Sequence, residues 1–176
     1  MFDKPLPQRA EVRKLAAQAS HFSARLDVAC MPRIAEIVVE QRGVVDVDLN
    51  FDLNQQRIPV LSGRAHAAVE VICQRCLAPV AIDVRAEFAL GIIWDEKQGQ
   101  SLDSTLEPLL IEDGALTDLN AVVEDELLLN MPFVSYHAHT DCIDQLHYEH
   151  VTPAETAVIE TKANPFSVLA TLKTKD

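Results

Sequence analysis

The sequence predicts an α+β fold: an antiparallel sheet of three or more strands packed against flanking helices, with a largely extended C-terminal tail. Three observations carry this expectation. Val45, Val47, Leu49, Phe51 and Leu53 alternate with Asp46, Asp48, Asn50, Asp52 and Asn54, and a period of two marks a strand with one buried and one wet face. Two further long alternating runs follow across short connections, which makes an antiparallel meander. Stretches of helical periodicity near residues 7–20, 31–41 and 117–131 flank this block, supplying the second layer that a half-apolar sheet needs.

From the N-terminus, Pro7 to Ser20 reads as a helix. Pro7 suits its first position, Val12, Leu15, Ala16 and Ala19 share one face, and Arg9, Arg13 and Lys14 point outward. An extended piece from Phe22 to Val28 leads to a second helix from Pro32, with Ile34, Ile37 and Val38 inward and Gly43 as its stop. After the first strand, Asn54-Gln55-Gln56-Arg57 turns the chain. The second strand begins with Ile58 and Val60 inward, then changes phase across Ser62-Gly63 to Ala65, Ala67, Val69, Val71 and Cys73, the pattern of a β-bulge. In the third, Val80, Ile82, Val84, Ala86, Phe88 and Leu90 point inward and Asp83, Arg85 and Glu87 outward.

Residues 95–110 are rich in Asp, Glu, Gln, Ser and Gly and predict a mobile acidic loop. Thr117 is the expected cap of a helix through Leu119, Val122, Val123 and Leu127, which Pro132 stops. Glu124-Asp125-Glu126 occupy successive helical positions that diverge in direction, so a solvated face is expected there and not a carboxylate metal site. Residues 135–163 are polar, His-rich and irregular, and Asn164-Pro165 opens a short helix with Phe166, Leu169 and Leu172 on one side. The expected organisation is one α+β domain over residues 1–147 and an extended tail over 148–176 ending in that helix.

Composition narrows the functional classes. A 176-residue chain that is 48% hydrophobic is sized and composed for one folded domain. No apolar run approaches the roughly 18 residues of a membrane span, and the start, Met1-Phe2-Asp3-Lys4-Pro5, has no secretory pattern. A cytoplasmic protein is therefore expected, in which Cys30, Cys73, Cys76 and Cys142 remain reduced. With five glycines no phosphate-cradling loop is built, and no serine has a nucleophile-elbow context; an enzyme is not expected. The net charge of −12 concentrates in residues 95–160, where fifteen acids face one lysine. Such a surface repels phosphates and steers basic proteins in, or serves solubility alone.

Cys73-Gln74-Arg75-Cys76 is a CxxC motif. A redox pair needs a helix N-terminus to lower its thiol pKa, whereas here a strand enters the motif, Pro79 follows and alternation resumes at Val80. Two readings stay open at this hairpin. A structural zinc would be completed by His137 and Cys142, with His139 as an alternate; otherwise Cys73, in phase with Val69 and Val71, is simply buried.

Three segments carry a family resemblance: Val69-Glu70-Val71-Ile72-Cys73-Gln74-Arg75-Cys76-Leu77, Val123-Glu124-Asp125-Glu126-Leu127 running on to Pro132, and Asn164-Pro165-Phe166-Ser167-Val168-Leu169-Ala170-Thr171-Leu172-Lys173. In order and spacing they resemble the large ribosomal RNA subunit accumulation (YceD) family. The resemblance implies a role in the synthesis, processing or stability of 23S ribosomal RNA and does not imply a known catalytic residue. Many relatives have a cysteine-richer segment after the central helix. This chain has His137 where they have the first of those cysteines and Cys142 near the second, and it lacks the later ones. Two routes to that role arise. RNA, as 23S rRNA or its precursor, would be met by Arg64, His66 and Arg85 on the polar sheet face with Arg9, Arg13 and Lys14. Alternatively, the chain acts through ribosomal proteins or rRNA-processing factors, the route its charge favours. The rival reading is a small acidic zinc-knuckle adaptor that binds basic proteins and has no direct ribosomal role.

Overall fold

The computed structural model describes residues 6–112 and 114–145; the expected tail over 148–176, with its Phe166/Leu169/Leu172 helix, lies outside the described residues. The elements in chain order are β1 (Arg9–Ala10), α1 (Val12–Ala17), β2 (His21–Asp27), α2 (Pro32–Ile37), β3 (Val44–Leu53), β4 (Pro59–Ile72), β5 (Pro79–Ile93), α3 (Glu96–Gly99), β6 (Glu107–Leu110), β7 (Thr117–Asp118) and α4 (Leu119–Asn130). Five strands form one sheet in the order β2-β3-β4-β5-β6, antiparallel except for the parallel β5–β6 pair. β1 and β7 form a separate two-stranded ladder. The α+β fold is as the sequence predicts.

One face of the sheet is dry. Val45, Val47, Leu49 and Phe51 of β3, Leu61, Ala65, Ala67 and Val69 of β4, and Val84, Ala86, Phe88 and Leu90 of β5 are buried in one core. Val12 and Ala16 of α1 and Leu119, Val122, Val123 and Leu127 of α4 join the same core, so both helices cover this face. No helix is long and apolar enough to cross a membrane among the described residues.

Several local expectations are corrected. The first helix begins only at Val12, because Arg9 and Ala10 are extended and pair with Asp118 and Thr117. β4 contains no bulge: its register against β3 and β5 runs without interruption, with Pro59 and Leu61 buried and Val60 only partly so. Gly63 stays in phase and points inward without a side chain, because a Cβ there would lie 2.5 Å from Phe88 Cζ and 2.7 Å from Leu49 Cδ2. The large residues opposite it on both neighbouring strands fill that space, which disguises a continuous strand as a phase slip.

The stretch expected as a mobile loop carries α3 and β6, and β6 adds a parallel edge through Leu90↔Glu107 to Ile93↔Leu110. Asp118, not Thr117, caps α4: its Oδ1 accepts from the backbone N–H groups of Asn120 and Ala121. Ile37 is exposed where a buried position was expected, since α2 ends there and the chain turns through positive φ at Glu40 and Gln41.

The acidic triplet is the largest correction. Glu124 is 2% exposed and Glu126 8%, so only Asp125 faces water. Glu124 Oε1 accepts the N–H groups of Arg33 and Ile34 at 2.7 and 3.0 Å, and Oε2 accepts Arg33 Nε and Nη2 at 3.1 and 3.0 Å. The carboxylate therefore caps α2 from a distant helix. Met31, which precedes α2, has no side chain able to cap it, and this is the signal from which an external cap was inferable.

Candidate metal centre

The β4–β5 connection, residues 73–78, is a tight knuckle. Cys73 N–H donates to Ala78 O and Leu77 N–H donates to Cys73 O, each at 2.9 Å, and Leu77 takes a positive φ of 59°. The segment after α4 folds back onto this knuckle, where Gln74 N–H donates to Ser135 O at 2.9 Å. A 3-10 turn over Thr140–Gln145 then carries Cys142 into the same place.

These contacts bring together the four residues expected from the sequence. One ligand atom from each of Cys73, Cys76, His137 and Cys142 lies within 4.8 Å of all the others. Donors about 2.0–2.3 Å from a tetrahedral zinc lie roughly 3.5–3.8 Å apart, so the group needs only a small contraction to close on an ion. Cys76 Sγ and His137 Nδ1 are already 3.3 Å apart. All three cysteines are buried, which keeps water from completing the coordination.

His137 is oriented for this task. Its Nε2 lies 3.0 Å from Pro79 O, and a carbonyl only accepts, so Nε2 carries a proton and the neutral ring presents its Nδ1 lone pair to the thiols. His139 does not join the group; its ring meets that of His137 edge-on, and its backbone oxygen accepts from Arg75 Nη1. Cys30 is exposed and stands outside the cluster.

The thiols are unequal. Burial pushes the Cys73 thiol up, but backbone N–H groups of Cys76, Arg75 and His137, together with the Cys76 side chain, outweigh it and bring Cys73 down to about 5. Burial and then Cys76 push the Cys142 thiol up, opposed by Arg75. Arg75, a role the sequence reading missed, donates to Cys142 Sγ at 3.6 Å and lies over the Tyr136 ring at 5.0 Å. Were a divalent ion held there by three thiolates and a neutral imidazole, the group would carry one negative charge, which this guanidinium would offset.

Of the cations expected to meet RNA, Arg64, His66 and Arg85 lie side by side on the wet sheet face, whereas Arg9, Arg13 and Lys14 lie apart from them. Arg64 and Arg85 lie on the wet sheet face in adjacent cross-strand rows, Ser23-Asp48-Arg64-Glu87 and Arg25-Asp46-His66-Arg85. Arg64 pairs with Glu87 at 3.1 Å, Arg85 with Asp83 at 2.7 Å, and Arg25 with Asp46 at 2.8 Å. His66 also bonds Asp83; that bond first, and then Arg85, holds the Asp83 carboxyl below its ordinary range. Arg9 sits in the β1–β7 ladder and Arg13 lies over the Trp94 ring at 5.2 Å. Lys14 is on α1, which covers the opposite face of the sheet.

Fold and cluster together define a small α+β protein whose hairpin tip meets a later segment at a cysteine–histidine group able to hold a metal ion. The chain belongs to the large ribosomal RNA subunit accumulation protein YceD family, whose model matches residues 61–173. It is similar to the Large ribosomal RNA subunit accumulation protein YceD of Haemophilus influenzae (strain ATCC 51907 / DSM 11121 / KW20 / Rd), with 34% identity over 147 residues that make up 82% of this chain and 83% of the relative. No solved structure matches it.

Proposed function

We propose that this chain is a non-catalytic cytoplasmic factor that promotes accumulation of large-subunit ribosomal RNA. It would act in the synthesis, processing or stability of 23S rRNA, through contacts with ribosomal proteins or processing factors more than with RNA itself. Family membership supplies the ribosomal part of this reading. The observation that carries the protein-contact part is the fate of the cations: Arg25, Arg33, Arg42, Arg64 and Arg85 are each ion-paired to a carboxylate. A phosphate would have to displace those partners, and the chain bears a net charge of −12.

Within this reading the Cys73/Cys76/His137/Cys142 group holds a structural zinc. The donor set is closed at four, without the open position a catalytic site keeps. Its service is mechanical: it ties residues 135–142 to the β4–β5 knuckle.

The test is a deletion strain complemented with the wild-type chain. Mature 23S rRNA should fall relative to 16S on deletion and recover on complementation. Unchanged rRNA ratios and subunit profiles would remove the ribosomal role and leave the adaptor reading. Affinity capture with and without ribonuclease then separates protein partners, which survive digestion, from RNA-mediated ones.

A further inference from the structure

Beside the metal centre lies a groove of about 640 Å³ whose walls include Ile37 at the end of α2, Ile72 at the end of β4, Leu77 in the knuckle, and Leu128, Met131 and Phe133 at and beyond the end of α4. Phe133 is 98% exposed and Leu77 65%. A water-facing phenylalanine beside three other exposed apolar side chains is the signature of an interaction site. Its volume falls in the range of binding pockets, and an apolar trough of this kind receives the apolar face of a helix.

The charge left around the groove selects the partner. Every arginine on the bordering elements is engaged: Arg33 with Glu124 and Asp125, Arg64 with Glu87, and Arg75 with Cys142, His139 and Tyr136. Glu70, on the same face of β4 as the groove residue Ile72, and Glu36, which precedes the groove residue Ile37 in α2, are exposed and have no ion pair among the described residues. The unspent charge is negative, so a helix carrying lysine or arginine beside its apolar stripe is complementary and an acidic one is repelled.

The groove also depends on the metal centre. The chain that carries Phe133 leaves α4 after Asn130, and beyond Phe133 it is fastened at Ser135, through Gln74 N–H, at Tyr136, through Arg75, and at His137, through Pro79 O and the cysteine cluster. We infer that this groove is a docking site for a basic amphipathic helix of a protein partner, with its Phe133 wall held in place by the metal ion. The inference rests on the protein-contact and zinc readings above and names the kind of partner and how its site is maintained.

The test uses the full chain and two labelled synthetic peptides of about 18 residues, about five helical turns, with leucine along one stripe. One bears lysine and the other glutamate on the remaining positions. The lysine peptide should bind, more weakly as salt rises, and at least about ten-fold more tightly than the glutamate peptide. Phe133→Ser and Leu77→Asn should each weaken it about ten-fold or more at unchanged Tm, since both side chains are exposed and asparagine tolerates the positive φ at residue 77. Chelation should abolish that affinity. Equal binding of the two peptides, full binding by both variants, or full binding after chelation would overturn the inference. So would self-association of the chain that Phe133→Ser abolishes, because a second copy would then be the occupant. The outcomes separate from those of the proposed function. A deletion strain with reduced 23S rRNA that Phe133→Ser fully rescues retires the groove and keeps the function, whereas peptide binding with normal rRNA does the reverse.

Discussion

Replacing Glu124 tests how α2 is held. The side chain is buried and accepts four bonds, two from the first-turn N–H groups of α2 and two from the Arg33 guanidinium. Loss of a helix cap costs about 1 kcal/mol, and each hydrogen bond to a charged group contributes about 1.5–3 kcal/mol. The Arg33 side chain is 49% exposed, so water and Asp125 take over part of its solvation, and its share lies at the low end. Glu124→Ala should therefore destabilise the chain by about 3 kcal/mol, near the lower bound for breaking a buried ion pair. Glu124→Gln keeps the acceptor for α2 but turns an amide toward Arg33, and should cost about half as much. Asp125→Ala removes only an exposed pair and should cost under about 1 kcal/mol. Urea unfolding at constant m-value, with Arg33→Ala closing a double-mutant cycle on the side-chain half, gives these differences. Equal costs for Glu124→Ala and Asp125→Ala would refute the capping role.

Glu126 gives a pH test. Burial, then the charges of Glu107 and Asp125, raises its carboxyl above the ordinary 4.5, so the folded state binds more protons than the unfolded one, and stability falls as pH rises from 4.5 through the folded value. Glu126→Gln should thus raise Tm at about pH 7 and lose that advantage near about pH 4; a constant difference would sink the assignment. Gly63→Ala places a methyl against Phe88 and Leu49 and should cost about 1–3 kcal/mol, with partial rescue by Phe88→Leu as the control for mechanism. Purified protein should hold about one zinc per chain by elemental analysis, lose it on Cys142→Ser but not Cys30→Ser, and melt at lower temperature after chelation. Naked rRNA should bind weakly, and Arg64→Ala with Arg85→Ala should shift its salt slope by less than the roughly 0.9 per phosphate expected for two free contacts.

The sheet was legible because its signal is local: a strand with one dry face writes its period into consecutive residues, as at Val45–Leu53. The metal cluster was legible from chemistry, since a hairpin-tip CxxC needs further donors and the segment after α4 offers His137 and Cys142. What escaped depends on partners distant in sequence. β6 is too short to show a period and exists because β5 has a free edge. Gly63 looked like a slip because its packing partners, Leu49 and Phe88, are cross-strand neighbours. Asp118 and Thr117 are equally plausible caps on paper; pairing of Thr117 with Ala10 extends the first and leaves the cap to the second.

Charge was the least legible property, because a residue count records how many carboxylates exist and not what they face. Glu124 is counted among the fifteen acids of the acidic half, yet it is spent inside the protein on α2 and Arg33. Asp83, Asp46 and Glu87 are likewise spent on the arginines beside them. Neutralisation in the rows that carry Arg25, Arg64 and Arg85 removes cations and anions together, so that part of the wet sheet face attracts neither phosphate nor lysine strongly. Charge free to select a partner is then confined to exposed, unpaired groups, and Glu36 and Glu70 are of that kind at the groove. A composition that argues only weakly against RNA thus becomes, once pairing is known, an argument about which side of the protein a basic partner approaches.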